Sequence, residues 1–193
     1  LGEIVEVEIV LDQVAYRIPK GHRLRVAVSP SYFPFVWPDD QSVNLRLEAG
    51  SLQLPVLDGE DVAVAFDPAK GAKGIEFKRY SGRVESKKLF RNGDVWRQEI
   101  VGDDGLIENP LTGLKTAQKV NEVFEITEGD PSSARAKFAW KRSYGRGDWM
   151  VHTKSHVAVS SDNGQFLVEA ALDAFEGELV IFSKKWSQRI GKI

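Results

Sequence analysis

Apolar and polar residues alternate with a period of two along most of this chain. In "EIVEVEIVL" Val5, Val7, Ile9 and Leu11 alternate with Glu6 and Glu8. Such alternation sends successive side chains to opposite faces of an extended strand, one toward a core and one toward water. "HRLRVAV" repeats the pattern, with Leu24, Val26 and Val28 inward and Arg23 and Arg25 outward. "SVNLRLEAGSLQLPV" places Val43, Leu45 and Leu47 before a turn at Ala49 and Gly50, then Leu52, Leu54 and Val56 after it. Further on, "ARAKFAW" alternates Ala136, Phe138 and Trp140 with Lys137 and Lys141. "GQFLVEAALDAF" does so through Phe166, Val168, Ala170 and Leu172.

Turn chemistry agrees. Asn92-Gly93 and Asn163-Gly164 each divide two such runs, and Asn-Gly supplies the positive φ angles of a tight hairpin. No segment carries a sustained helical stripe, and residues 114–124 fit a helical turn or a strand equally well. Residues 58–74, rich in Gly, Asp and Lys, read as a long loop around one short strand. About a dozen strands at hairpin spacing predict an antiparallel all-β fold over residues 1–193 as a single domain, a sandwich first and a barrel second. Strand counting does not decide closure.

Composition narrows the function classes. The 193 residues are 42% hydrophobic and 28% charged, ordinary for a fold with a real core. With 26 basic and 28 acidic side chains the net charge is −2, so no basic field recruits nucleic acid or an anionic membrane. No apolar run approaches the ~20 residues needed to span a bilayer. The absence of cysteine removes disulfides, thiolate nucleophiles and Cys-based zinc sites. No signal-peptide pattern opens the chain, and a cytoplasmic location is the expectation. The first residue is Leu1 and the one methionine is Met150, so a processed product or a piece of a longer protein is expected.

Catalytic motifs are missing. There is no Gly-x-Ser-x-Gly elbow, no His-Glu-x-x-His and no phosphate-binding Gly-x-x-x-x-Gly-Lys-Ser/Thr loop. His152 and His156 share one face of a strand but lie ~13 Å apart at the usual rise, too far for one ion. "GDDGLIEN" offers Asp103, Asp104, Glu108 and Asn109 as oxygen ligands for calcium, without the order of an EF-hand loop; a solvated hairpin loop is the plainer expectation. Glu60 and Asp61 would point to opposite faces if extended, which does not suit paired acid–base chemistry. Ser29 and Ser31 near His22 have no acid close in sequence to complete a triad. No catalytic, cofactor-binding or metal-binding residue is therefore assigned.

One stretch remains, "SYFPFVWP" at residues 31–38, with Tyr32, Phe33, Phe35 and Trp37 among two prolines. Such rings can plug the end of a sandwich, contact another domain, or stack a sugar or acyl ligand. Tyr32 and Phe33 are expected to look outward and Trp37 inward.

These residues also carry a resemblance. "RIPKGHRLRVAVSPSYFPFVWP" resembles the C-terminal β-domain of the cocaine esterase-like acyl hydrolases and X-Pro dipeptidyl peptidases, through Gly21, His22, Arg23, Arg25, Ser29, Pro34, Trp37 and Pro38. "EGDPSSARAKFAW" is similar through Asp130, Pro131, Ser133 and Ala134. "RGDWMVHTKSHVAVSSDNGQFLVEAALDAFEG" is similar through Trp149, Phe166, Ala174 and Glu176. "FSKKWSQRIGKI" resembles the closing strand through Trp186 and Ile190, with Gly191 and Lys192 in place of Pro-Arg.

The resemblance implies a jelly-roll sandwich of the galactose-binding type that follows an α/β-hydrolase domain, packs on it and helps shape its substrate cleft. The family's catalytic Ser, Asp and His belong to that other domain, so none is carried over and no turnover is expected from this chain alone. The family's β-domain also has strands before the part matching Leu1. An uncovered apolar sheet edge is thus expected, to be covered by preceding sequence, the hydrolase domain or a second copy. The alternative function is an independent jelly-roll module binding carbohydrate or another apolar-faced ligand.

Overall fold

The structure, a computed structural model, describes residues 3–41, 43–59 and 64–192. Leu1 and the Glu60–Asp61 pair lie outside the described residues. All regular structure is β, in eight strands: β1 Lys78–Arg79, β2 Val84–Asn92, β3 Val95–Asn109, β4 Leu114–Thr127, β5 Asp130–Arg146, β6 Trp149–Asp162, β7 Gln165–Glu176 and β8 Leu179–Gly191. Among the described residues there is no helix, and 114–124 is strand. Every pairing is antiparallel. The order is β1-β3-β4-β5-β6-β7-β8, with β2 beside β1 on the same edge of β3.

The hairpins follow from local chemistry. Asn163 and Gly164, with φ of 49° and 74°, form the two-residue loop between the paired residues Asp162 and Gln165. Both positive angles are what a type I′ turn requires. Between β2 and β3 the loop is Gly93 and Asp94, since Asn92 pairs with Val95; the Asn-Gly signal locates this hairpin one residue early. Such two-residue loops leave no room for a crossover. The strands form a meander in one layer, so the all-β antiparallel class stands while a jelly-roll strand order is not what these strands display.

A second edge of β3 is managed by a bulge. The register shifts between Asp103 and Gly105, where β2 ends and β1 begins. Gly105 is buried, has φ of 70°, and a Cβ there would lie 2.4 Å from the Ser81 carbonyl oxygen. Only glycine fits that close backbone approach.

The four alternating runs before Lys78 do not form strands. Among the described residues from 3 to 77, the one β-bridge joins Tyr32 to Val36. Alternation specifies which side of an extended segment is apolar, but a strand persists only when a partner takes its N–H and C=O groups, and these runs have none here.

Register sorts the sheet into two unlike faces. One row joins Gln98, Phe124, Ala136, Val159, Val168 and Gln188, and the next on that face joins Ile100, Glu122, Phe138, Val157, Ala170 and Trp186. This face is mainly apolar. The other carries Arg97, Glu125 and Arg135 in one row and Glu99, Val123, Lys137, Ala158 and Glu169 in the next. The fully buried apolar side chains among the described residues are Ala134 at 1% and Ala136 at 2% exposure, both on the apolar face of β5.

Candidate functional site

The aromatic turn sits on that small core. The backbone closes through the Val36 N–H donating to the Tyr32 carbonyl at 2.9 Å. Closure divides the four rings into two pairs. Phe33 and Trp37 face the sheet, edge to face at 5.4 Å and 89°. Phe33 meets Phe124 at 6.2 Å, Trp37 meets Phe166 at 5.6 Å, and Phe124 meets Phe138 at 5.6 Å. Five rings thus run continuously from β7 to β5 in the T-shaped geometry that aromatic quadrupoles favour. Ala136, paired with both Phe124 and Val159, is small where this chain of rings needs space.

The outer pair is Tyr32 and Phe35, stacked at 5.1 Å and 23° and exposed at 65% and 76%. Phe33 is half-buried on the sheet instead of facing solvent, because the turn reverses the chain around Pro34 and brings positions 33 and 37 to one side. Trp37 is also half-buried, and its indole nitrogen is buried with no hydrogen-bond partner.

Asp40 fastens the turn. The Ser161 hydroxyl donates to it at 2.6 Å, the Gly164 N–H at 2.8 Å, and the Lys192 ammonium donates to the same oxygen as Ser161. The Lys192 N–H donates to the Gly164 carbonyl at 2.9 Å, and its ammonium lies 5.0 Å from the centre of the Phe166 ring. The Lys192 hydrogen bond, followed by that from Ser161, holds the Asp40 carboxyl below its usual range. Sequence reasoning passed over Asp40 and Lys192: neither lies in a motif, and they meet only when β8 closes beside β7.

The charged face holds the other candidates. Lys119, Lys141 and Lys154 stand directly opposite one another on β4, β5 and β6, with Asp103 and Asp173 at the ends of the row. Lys119 pairs with Asp103 at 2.9 Å, while Asp173 accepts from the Ser183 hydroxyl at 2.6 Å. His152 and His156 flank Lys154 on β6. The His152 ring stacks on Phe175 at 4.3 Å, and burial, then Lys141 and Lys154, push its pKa below the ordinary histidine value. A shallow concavity beside this row has Ala139, Ala158 and Ala171 as its floor and Lys137, His156 and Lys185 on its rim.

Residues 103–109 are part of β3, not a hairpin loop. Their oxygens are committed separately: Asp103 to Lys119 and the Gly105 N–H, Glu108 to the Tyr80 hydroxyl at 2.6 Å, and Asn109 to the Leu111 N–H at 2.9 Å. Among the described residues no three His, Asp or Glu side chains group as a metal site. Ser29 Oγ donates to the Ser31 carbonyl at 2.7 Å, a local turn contact.

These features define a contact device on an all-β scaffold: rings presented outward from a turn that is fastened inward. Over residues 2–71 the chain matches the family described as the X-Pro dipeptidyl-peptidase C-terminal non-catalytic domain. The resemblance carried by residues 17–38 therefore holds, and the whole aromatic turn lies inside the matched segment. The similar stretches from Glu128 onward lie outside it. No curated protein and no solved structure matches the chain.

Proposed function

We propose that this chain is a non-catalytic β-domain of a serine hydrolase of the X-Pro dipeptidyl peptidase or acyl esterase type, packing on an α/β-hydrolase domain and helping to shape its substrate cleft. The observation that carries this reading is the family match over residues 2–71, with Tyr32 and Phe35 stacked and exposed inside it. Stacked rings on a fastened turn offer rigid apolar area at low entropic cost, which suits the centre of a domain interface. The role is architectural: the domain holds a wall in place and supplies no reacting group.

The test mixes this chain with the hydrolase portion of an X-Pro dipeptidyl peptidase lacking its C-terminal domain, read by titration calorimetry. Binding that weakens at least tenfold in the Tyr32→Ala, Phe35→Ala double variant supports the reading. Equal binding by the variant, or hydrolysis of an Xaa-Pro nitroanilide by this chain alone above the buffer rate, overturns it. A second reading, a carbohydrate-binding module, uses the same two rings as a stacking platform. Retention on a glycan array that is lost with Phe35→Ala would favour it.

A further inference from the structure

The apolar face of the sheet is only partly covered. Beyond the aromatic turn, Trp140, Val157, Leu172 and Trp186 share that face, and Trp186 is 42% exposed. The chain presents 16721 Å² to solvent, against roughly 9,000 Å² for a compact monomer of its 21.5 kDa by the mass scaling. A one-layer sheet with an apolar face needs a second layer, and several observations identify the layer.

Residues 43–56 begin three positions after Asp40, which is already fastened to β6, β8 and the turn before β7. Their alternation puts Val43, Leu45, Leu47, Leu52, Leu54 and Val56 on one side of a hairpin, all of them exposed. Residues 1–77 hold 12 acidic and 7 basic side chains, while residues 78–193 hold 16 and 19, so the two parts carry opposite net charge. The short tether to Asp40 gives the segment a high effective concentration over the face.

We propose that residues 43–56 close as a β-hairpin over the apolar face, beside the aromatic turn, with their apolar side on Phe138, Trp140, Val157, Leu172 and Trp186. The aromatic turn is the pin of this second layer and Asp40 its fastening. The hairpin covers the sheet from within the chain and does not rest on the hydrolase partner proposed above.

Hydrogen exchange followed by mass spectrometry, with light scattering on the same sample, tests this on the full chain. The expected result is a monomer whose 43–56 amides exchange at least a hundredfold slower than an unstructured peptide. In the Leu45→Asp, Leu54→Asp double variant that protection is lost, while β4, β5 and β6 stay protected and so report that the sheet is intact. Exchange of 43–56 within threefold of the unstructured rate in the wild-type monomer overturns the proposal. So does protection that appears only with a dimer mass, which assigns the face to a second copy.

Discussion

Asp40 and Lys192, 152 positions apart, form an ion pair that joins the aromatic turn to the end of the last strand. The same carboxylate takes the Ser161 hydroxyl and the Gly164 N–H, so three donors from the β6–β8 region converge on one acid. A carboxylate holding several donors is stabilised in its charged form.

The docking of the turn should therefore depend on pH. The folded pKa of Asp40 lies below its unfolded value, so its contribution is complete above the ordinary carboxylate range and is lost as pH falls through the folded value. Trp37 fluorescence followed on acidification should report release of the turn at low pH. Asp40→Asn should release it already at pH 7, since the amide cannot pair with Lys192. A tryptophan signal for Asp40→Asn identical to wild type across the range would refute the fastening role.

Trp37 should tolerate loss of its indole nitrogen better than loss of its ring. The nitrogen is buried without a partner, so Trp37→Phe removes an unpaired polar group while keeping the edge-to-face contacts. Trp37→Phe is expected to shift stability by less than about 1 kcal/mol, and Trp37→Ala to cost about 2–3 kcal/mol for a half-buried ring. Urea unfolding of the two variants checks the order.

Lys141 faces lysine on both neighbouring strands, an arrangement that cross-strand pairing penalises. Lys141→Glu should stabilise the sheet by about 0.5–1 kcal/mol, from two like-charge pairs turned into opposite-charge ones. The gain should shrink as salt rises, because these side chains are exposed. A variant less stable than wild type at low salt would show that the row is relieved by some other anion.

His152 gives a second, separate pH response. Its folded pKa is depressed, so the unfolded chain binds protons more readily and stability falls as pH drops from the ordinary histidine value of 6.5 to below the folded one. Replacing the imidazole by Gln should flatten that part of the stability profile. Chemical denaturation at pH 8 and pH 5.5 for both proteins gives the comparison.

Gly105→Ala should cost roughly 2 kcal/mol or more, from a left-handed φ and from the Ser81 carbonyl in the path of the new Cβ. The expected damage is local to the β1–β3 edge, visible as faster amide exchange at Tyr80, whose N–H donates to the Leu106 carbonyl.

Much of this was legible in the chain itself. Period-two alternation and the Asn163-Gly164 turn determine an antiparallel all-β fold, because side-chain direction along a strand and positive φ in a two-residue loop are local properties. The motif around Gly21 to Pro38 determines the family resemblance. Which segments pair was decided by tertiary structure: residues 5–11 and 165–176 alternate alike, yet only the second has neighbours to take its backbone groups. The division of the four rings into Phe33 and Trp37 inward and Tyr32 and Phe35 outward was decided there too. Nothing local distinguishes those rings; the Tyr32–Val36 closure and the positions of Phe124 and Phe166 do. Asp40 and Lys192 became partners only through the folding of the intervening sheet, a relation over 152 residues that no local pattern encodes.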